Sequence, residues 1–262
     1  SMTVKLDRHA DGIWALRLSR PHCLNALDDD TVRVLHDLLA GLVGERACRA
    51  LVLTGEGRGF CAGFDLSLAD SAPGIEHGET PAWMARQELF ASILLRMREL
   101  RMPVIAAVNG PANGAGLGLA LGADLRIAST AASFNAAFIR VGMSGCDIGV
   151  SYLLPRCVGV SRANELMLTG RMVGAEEAER IGLVSRVVPA DALWTAARSL
   201  GQEIAAHDSF AVWMTKRGMW ANLEAGSLHA ALELENRTQI LARTTGGLAK
   251  AARAMKSRPR GG

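Results

Sequence analysis

The sequence predicts an α/β fold that ends in a helical region, on three observations. Short apolar runs of strand type alternate with amphipathic helical runs over roughly the first 190 residues. Several of those runs, such as "ALVL" and "VIAAV", are continuously apolar, as strands of a covered core are. From about Leu193 onward strand signals vanish and only helical periodicity remains. The expected division is a core over residues 3–192 and a helical region over 193–262.

Taken in order, "GIWALRLSR" alternates with period two, and "ALDDDTVRVLHDLLAGLVG" is an amphipathic helix with an aspartate-rich first turn. "CRALVLTGEG" reads as a buried strand ending in a glycine turn. "SAPGIEHGET", residues 71–80, carries Pro, Gly and ionisable residues without periodicity and is expected to be a surface loop. "QELFASILLRMREL" is a helix halted before Met102-Pro103, and "PVIAAVNG" is a further buried strand. "ADLRIAST" and "SRVVPA" add short strands. "WTAARSLGQEIAAH", "FAVWMTKRGMWANL" and "SLHAALELENRTQILAR" are helices.

Composition narrows the class. With 49% hydrophobic and 21% charged residues the chain reads as globular, and no apolar run approaches the ~20 residues of a membrane span. The net charge of +3 comes with one basic stretch, "KAARAMKSRPRGG". It reads first as a solvated tail, and without interleaved aromatic residues nucleic-acid binding is not expected. Five cysteines, odd in number and without a CxxC pair, point to a reducing cytoplasm and away from disulfides or zinc. The histidines show neither HxxxH nor HxH spacing, so no metal site is expected.

Common catalytic signatures fail. From Gly114 the third glycine of a dinucleotide turn would fall on Leu119, and no Gly-Lys pair exists for a phosphate loop. "GMSGC" around Ser144 is one residue short of a nucleophile elbow. What remains is a pair of similar stretches, "LVLTGEGRGFCAGFDL" and "PVIAAVNGPANGAGLGLAL". Each runs from buried strand through glycine turn into a helix start, where backbone N–H groups lack partners. Two such turns side by side would aim two N–H donors at one oxygen, which is an oxyanion hole. Gly114, Gly118 and Gly122 also form one bare helix face suited to close packing.

These stretches resemble the crotonase, or enoyl-CoA hydratase/isomerase, superfamily. "RPHCLNAL" (residues 20–27), "GFCAGFDL" (59–66), "AAVNGPANGAGLGLALGADLRIA", "YLLPRCVG", "ANELMLTGRMVGAEEAERIGLVSRVV" and the terminal "KSRP" follow in the family's order. The resemblance implies a spiral of ββα turns, C-terminal helices that build a trimer or a hexamer of two trimers, and an acyl-CoA ligand. It calls for no cofactor other than the coenzyme A of the substrate. Carried over by position, it places the oxyanion donors at the backbone N–H groups of Phe64 and Ala115. It places the coenzyme A groove at Cys23, Leu24, Ala26, Ala62, Asp65 and Leu66.

The hydratase pattern is broken at two positions. Members that add water use two glutamates, and aligning the glycines puts these at Gly118 and Phe138. Without them ordinary water addition has no acid or base. One carboxylate follows, Asp147 in "GMSGCDIGVSYLLPR", near where isomerase-like branches of the family place a proton-handling acid. Asp147 is therefore either the proton-transfer residue or a cap of the helix behind it. A dehalogenase-like branch would need a histidine on "RQELFASILLRMREL", which has none. Three functions stay open: double-bond isomerisation through Asp147, hydration by an unusual acid and base, and acyl-CoA binding without catalysis. The loop at 71–80 and the helix after it are expected to shape the acyl pocket.

Overall fold

Residues 2–257 are described by a computed structural model of the chain. The order begins β1 (Val4–Asp7), β2 (Ile13–Leu18), α1 (Asp29–Leu42), β3 (Ala50–Gly55) and α2 (Glu79–Glu99). It continues through β4 (Val104–Val108), β5 (Pro111–Asn113), α3 (Ala115–Gly122), β6 (Leu125–Ser129) and β7 (Ser133–Asn135). Then come α4 (Val150–Val158), α5 (Val160–Thr169), β8 (Val173–Gly174), α6 (Ala175–Arg180) and β9 (Val187–Val188). The chain closes with α7 (Leu193–Ala205), α8 (Ser209–Leu223), α9 (Leu228–Arg243) and α10 (Gly247–Lys256).

Six strands form one sheet in the order β1-β2-β3-β4-β6-β9, parallel except for the β1–β2 hairpin. The three strands missing from that order, β5, β7 and β8, explain the spiral. After β4 the chain leaves this sheet, adds β5 to a second sheet, β5-β7-β8, and turns into α3. The next turn repeats the path with β6 and β7. Earlier turns do the same with single bridges, Leu27 to Phe64 and Cys61 to Ala112, in place of full strands.

Both faces of the large sheet are covered, which is why its strands lack polar alternation. Ile13, Ala50, Val52, Ile105, Ala107 and Ile127 face outward and are sealed by Leu193 and Ala197 of α7. Their neighbours Leu16, Leu51, Leu53, Ala106 and Val108 face inward to the main core with α1, α2 and α3. Helix α1 starts as its sequence predicts, with the Asp28 carboxylate accepting from the Thr31 N–H at 2.7 Å.

Helix α8 is fastened to this core by a buried ion pair. Lys216 Nζ lies 3.0 Å from Asp124 Oδ2 and donates to the carbonyls of Met97 and Met102. Asp124 also accepts from the Val104 N–H and the Trp220 indole, so each charge is hydrogen-bonded from several sides. Burial pushes the Lys216 pKa down, and Asp124 opposes that shift. Asp124 thus has the structural role that its place at the end of α3 suggests.

Two local expectations change. The 71–80 segment contains a 3-10 turn at Ile75–His77, and α2 already starts at Glu79, well before the predicted helix. The basic stretch is helical from Lys250 to Lys256, inside α10. Arg258 and Pro259, the end of "KSRP", lie outside the described residues, as does the rest of the tail. No helix among the described residues is long and apolar enough to cross a membrane.

Candidate active site

The site is assembled by a turn that sequence alone marks only as "NAL". Leu24 and Asn25 take positive φ of 52° and 60°. Asn25, 1% exposed, donates to the carbonyls of Glu56 and Gly59 and accepts from the Arg20 N–H. This ties the turn to the chain leaving β3. Ala62 N–H then donates to Leu24 O, Leu27 N–H to Gly63 O, and Asp65 N–H to Leu27 O. In such a parallel bridge Leu27 engages residues 63 and 65, so the N–H of Phe64 points to the opposite side. Among the described residues it has no acceptor.

The second donor arises at the mouth of α3. Gly114 sits at φ 53° and ψ −114°, a conformation that only glycine holds without strain. That geometry turns the chain into α3 with Ala115 as its first residue, whose N–H has no acceptor among the described residues. The two turns pack backbone to backbone. A Cβ on Gly116 would stand 2.0 Å from the Cys61 carbonyl oxygen, and one on Gly63 would stand 3.4 Å from the Ala115 nitrogen. Gly63 immediately precedes Phe64, so both free N–H groups belong to one small locus. Phe64 and Ala115 line one cavity of about 210 Å³, together with Ala62, Leu66, Gly114 and Asp147.

Asp147 does not cap α4. The cap position is Gly149, and only the Asp147 carbonyl, through Val150 N–H, takes part in the helix start. Its carboxylate faces the cavity and accepts a hydrogen bond from the Gln87 amide of α2. The next residue, Ile148, has φ 41°, strained for a β-branched side chain. Its side chain lies over Gly118: a Cβ there would meet Ile148 Cγ2 at 2.4 Å. The position that the resemblance gives to the first hydratase glutamate, Gly118, is therefore covered by Ile148. The place of the second is filled by the Phe138 ring, 3.3 Å from a Cβ on Gly114.

The glycine face of α3 is used as expected for packing. Ile148 covers Gly118, and Leu94 with Met97 of α2 cover Gly122. Of the predicted groove residues, Ala62 and Leu66 line the cavity; Cys23, Leu24, Ala26 and Asp65 do not. Cys23, Leu24 and Ala26 sit on the turn bonded to residues 62–65, and Asp65 ends that bonded stretch. The Asp65 carboxylate is engaged by Ser67 and Arg20, and the Ser67 hydrogen bond, then the Arg20 guanidinium, hold its pKa low. Burial pushes the neighbouring Cys61 thiol up to about 12, so it stays a neutral packing group.

Four lining residues on α2 carry no motif: Trp83, Arg86, Gln87 and Phe90. Arg86, 7% exposed, forms a two-pronged pair with Asp29, 2.9 and 2.7 Å, and donates to Leu68 O. The signal that could have found them is the i, i+3, i+4, i+7 spacing of 83, 86, 87 and 90, which puts them on one helix face.

A spiral of ββα turns, with two free backbone N–H groups at adjoining glycine turns, defines a class of enzymes that hold thioester carbonyls. The family model described as "Enoyl-CoA hydratase/isomerase" matches residues 8–247. The chain belongs to the enoyl-CoA hydratase/isomerase family, and its fold is the crotonase fold. It is 45% identical over 232 residues to a probable enoyl-CoA hydratase of Mycobacterium tuberculosis, covering 88% of this chain and 81% of that one. It is 37% identical to the 1,2-epoxyphenylacetyl-CoA isomerase of Escherichia coli, covering 88% and 87%. The crystal structure of a monofunctional enoyl-CoA isomerase from M. smegmatis superimposes with a TM-score of 0.76 at 40% identity, covering 88% and 99%. The chain is therefore an enzyme-family member whose relatives act on coenzyme A thioesters by more than one reaction.

Proposed function

We propose that the protein isomerises the double bond of an enoyl-CoA by moving one proton across a thioester enolate. The observation that carries this reading is that Asp147 is the only acidic side chain among the described residues lining the cavity. Both hydratase glutamate positions are blocked, by Ile148 and Phe138.

In this mechanism the thioester oxygen of a 3-enoyl-CoA accepts hydrogen bonds from Phe64 N–H and Ala115 N–H. The Asp147 carboxylate takes a proton from C2, and the C–H electron pair flows into the C1–C2 bond as charge moves onto the thioester oxygen. The dienolate then takes a proton at C4 from the Asp147 carboxyl, which can exchange with solvent meanwhile, giving the 2-enoyl-CoA and restoring the carboxylate. No water or cofactor enters the balance. The two N–H groups stabilise the charge that develops on oxygen, and losing one such donor typically costs about 3–4 kcal/mol. Gln87 fixes the carboxylate without neutralising it.

Coenzyme A itself is proposed to run along the turn of Cys23, Leu24 and Ala26 and past Ala62, Asp65 and Leu66, which adjoin the cavity mouth at the exposed Leu66. The C-terminal helices beyond α7 expose Leu228, Leu232, Ile240, Leu241, Leu248 and Met255. That apolar face supports the further proposal that residues 193–262 assemble the chain into a trimer or hexamer. Light scattering then gives three or six times 27.8 kDa; a monomer contradicts it. A cytoplasmic location belongs to the same proposal, with all five cysteines free.

The test compares two substrates with the purified protein. A short 3-enoyl-CoA is converted to its conjugated isomer, and crotonyl-CoA is hydrated only weakly. Brisk hydration of crotonyl-CoA contradicts the proposal. Tight acyl-CoA binding without turnover of any enoyl-CoA would assign the fold a binding role instead.

A further inference from the structure

Resting on the acyl-CoA reading above, we infer that the acyl pocket selects a compact aryl-bearing acyl group over an extended alkyl chain, with Trp83 as a specificity residue. The chain has twelve Phe, Trp and Tyr residues, and four of them, Phe64, Trp83, Phe90 and Phe138, line this one cavity. Phe90 belongs to the main core and Phe64 and Phe138 pack against it, whereas Trp83 packs in no core cluster and is the ring whose place is explained by the cavity alone.

The rings are fixed in place. Phe64 meets Phe90 edge to face at 5.8 Å between centroids. The Arg86 guanidinium lies 5.4 Å from the Phe64 ring and 5.2 Å from the Trp83 ring. Its two bonds to Asp29 hold that plane still. Phe138 is seated on the Gly114 turn. Rings with two side-chain torsions lose little freedom here, so the wall is rigid before a ligand arrives.

Shape follows from size. The cavity of about 210 Å³ is smaller than the roughly 300–1,000 Å³ of pockets that enclose drug-sized ligands, and the thioester end must occupy part of it. A long alkyl chain would have to fold or leave the pocket and would lose rotamer freedom. A flat ring has far fewer rotors to fix, and each ring–ring contact adds about 2- to 10-fold in affinity beyond its area. Leu66, Val141 and Met143, at 61%, 55% and 62% exposure, form an apolar lip that a ring would cover.

Isothermal titration with phenylacetyl-CoA and octanoyl-CoA, matched in acyl carbon number, reads this directly, with acetyl-CoA and free coenzyme A as references. Phenylacetyl-CoA is expected to bind about 10-fold more tightly than octanoyl-CoA. Trp83→Ala brings that ratio close to one, and Trp83→Phe retains most of it. Trp83 is partly exposed, so both variants fold. Equal or tighter binding of octanoyl-CoA overturns the inference and leaves the acyl-CoA reading intact. An unchanged ratio in Trp83→Ala overturns the assignment of Trp83. If no thioester binds better than free coenzyme A, the acyl-CoA reading itself falls, and this inference with it.

Discussion

Gln87 and Ile148 fix where the Asp147 carboxylate lies. An aspartate just before a helix often caps it, and a carboxylate holding helix N–H groups would be a poor base. Here the left-handed Ile148 swings the chain so that Gly149 takes the cap position, and Gln87 draws the carboxylate toward the cavity. Gln87→Ala should leave acyl-CoA binding within about twofold and lower kcat by about 10-fold, because the base loses its orientation. Gln87→Glu should slow the reaction further, because a carboxylate there cannot donate to Asp147 and adds a second negative charge where the enolate forms. Steady-state kinetics of the two variants check both. Sequence could name Asp147 as acid or cap. It could not choose, because the choice depends on a glutamine sixty positions away.

Among elements, α3 is the one whose oddity was most legible. Its glycines mark a helix pressed on every side, and the structure supplies each neighbour: Cys61 at Gly116, Ile148 at Gly118, Leu94 at Gly122. Restoring a hydratase glutamate by Gly118→Glu should therefore fail. The carboxylate would collide with Ile148, and we expect a loss of about 1–3 kcal/mol in stability with no gain of hydration. Denaturant melts and a crotonyl-CoA assay measure the two halves. The strands of the large sheet were equally legible, since their apolar runs are continuous. The second sheet was not: β5, β7 and β8 are two or three residues long, too short to carry a period. Nor was the fastening of α8, which depends on Lys216 reaching Asp124 across the fold. Asp124→Ala leaves that ammonium buried without its partner and should cost about 3–5 kcal/mol by urea unfolding.

For the whole molecule, the order of the motifs along the chain disclosed the fold, while the cavity depends on α2 returning to residues 62–66 and to α3. That return places Trp83, Arg86, Gln87 and Phe90 opposite the two free N–H groups, and no local pattern announces it. The same long-range pairing sets the response to acid. Glu56 is held below its usual pKa by the Ser19 hydroxyl and Lys5, Asp65 by Ser67 and Arg20, and Glu177 by Arg171. Groups whose folded pKa is depressed contribute stability above the ordinary carboxylate range and lose it as pH falls through the folded value. The melting temperature should accordingly be flat near neutrality and fall below about pH 4. Neutral replacements of Glu56 and Asp65 should flatten that fall.

The most direct measurement follows deuterium from solvent D₂O into C2 of a bound acyl-CoA, by mass spectrometry, with the wild-type protein and with Asp147→Asn. The wild type should exchange C2 hydrogen, and Asp147→Asn should bind the same ligand while exchanging about 10²–10⁴ times more slowly. Exchange at an undiminished rate in Asp147→Asn, or none in the wild type, would contradict a thioester enolate formed by this one carboxylate.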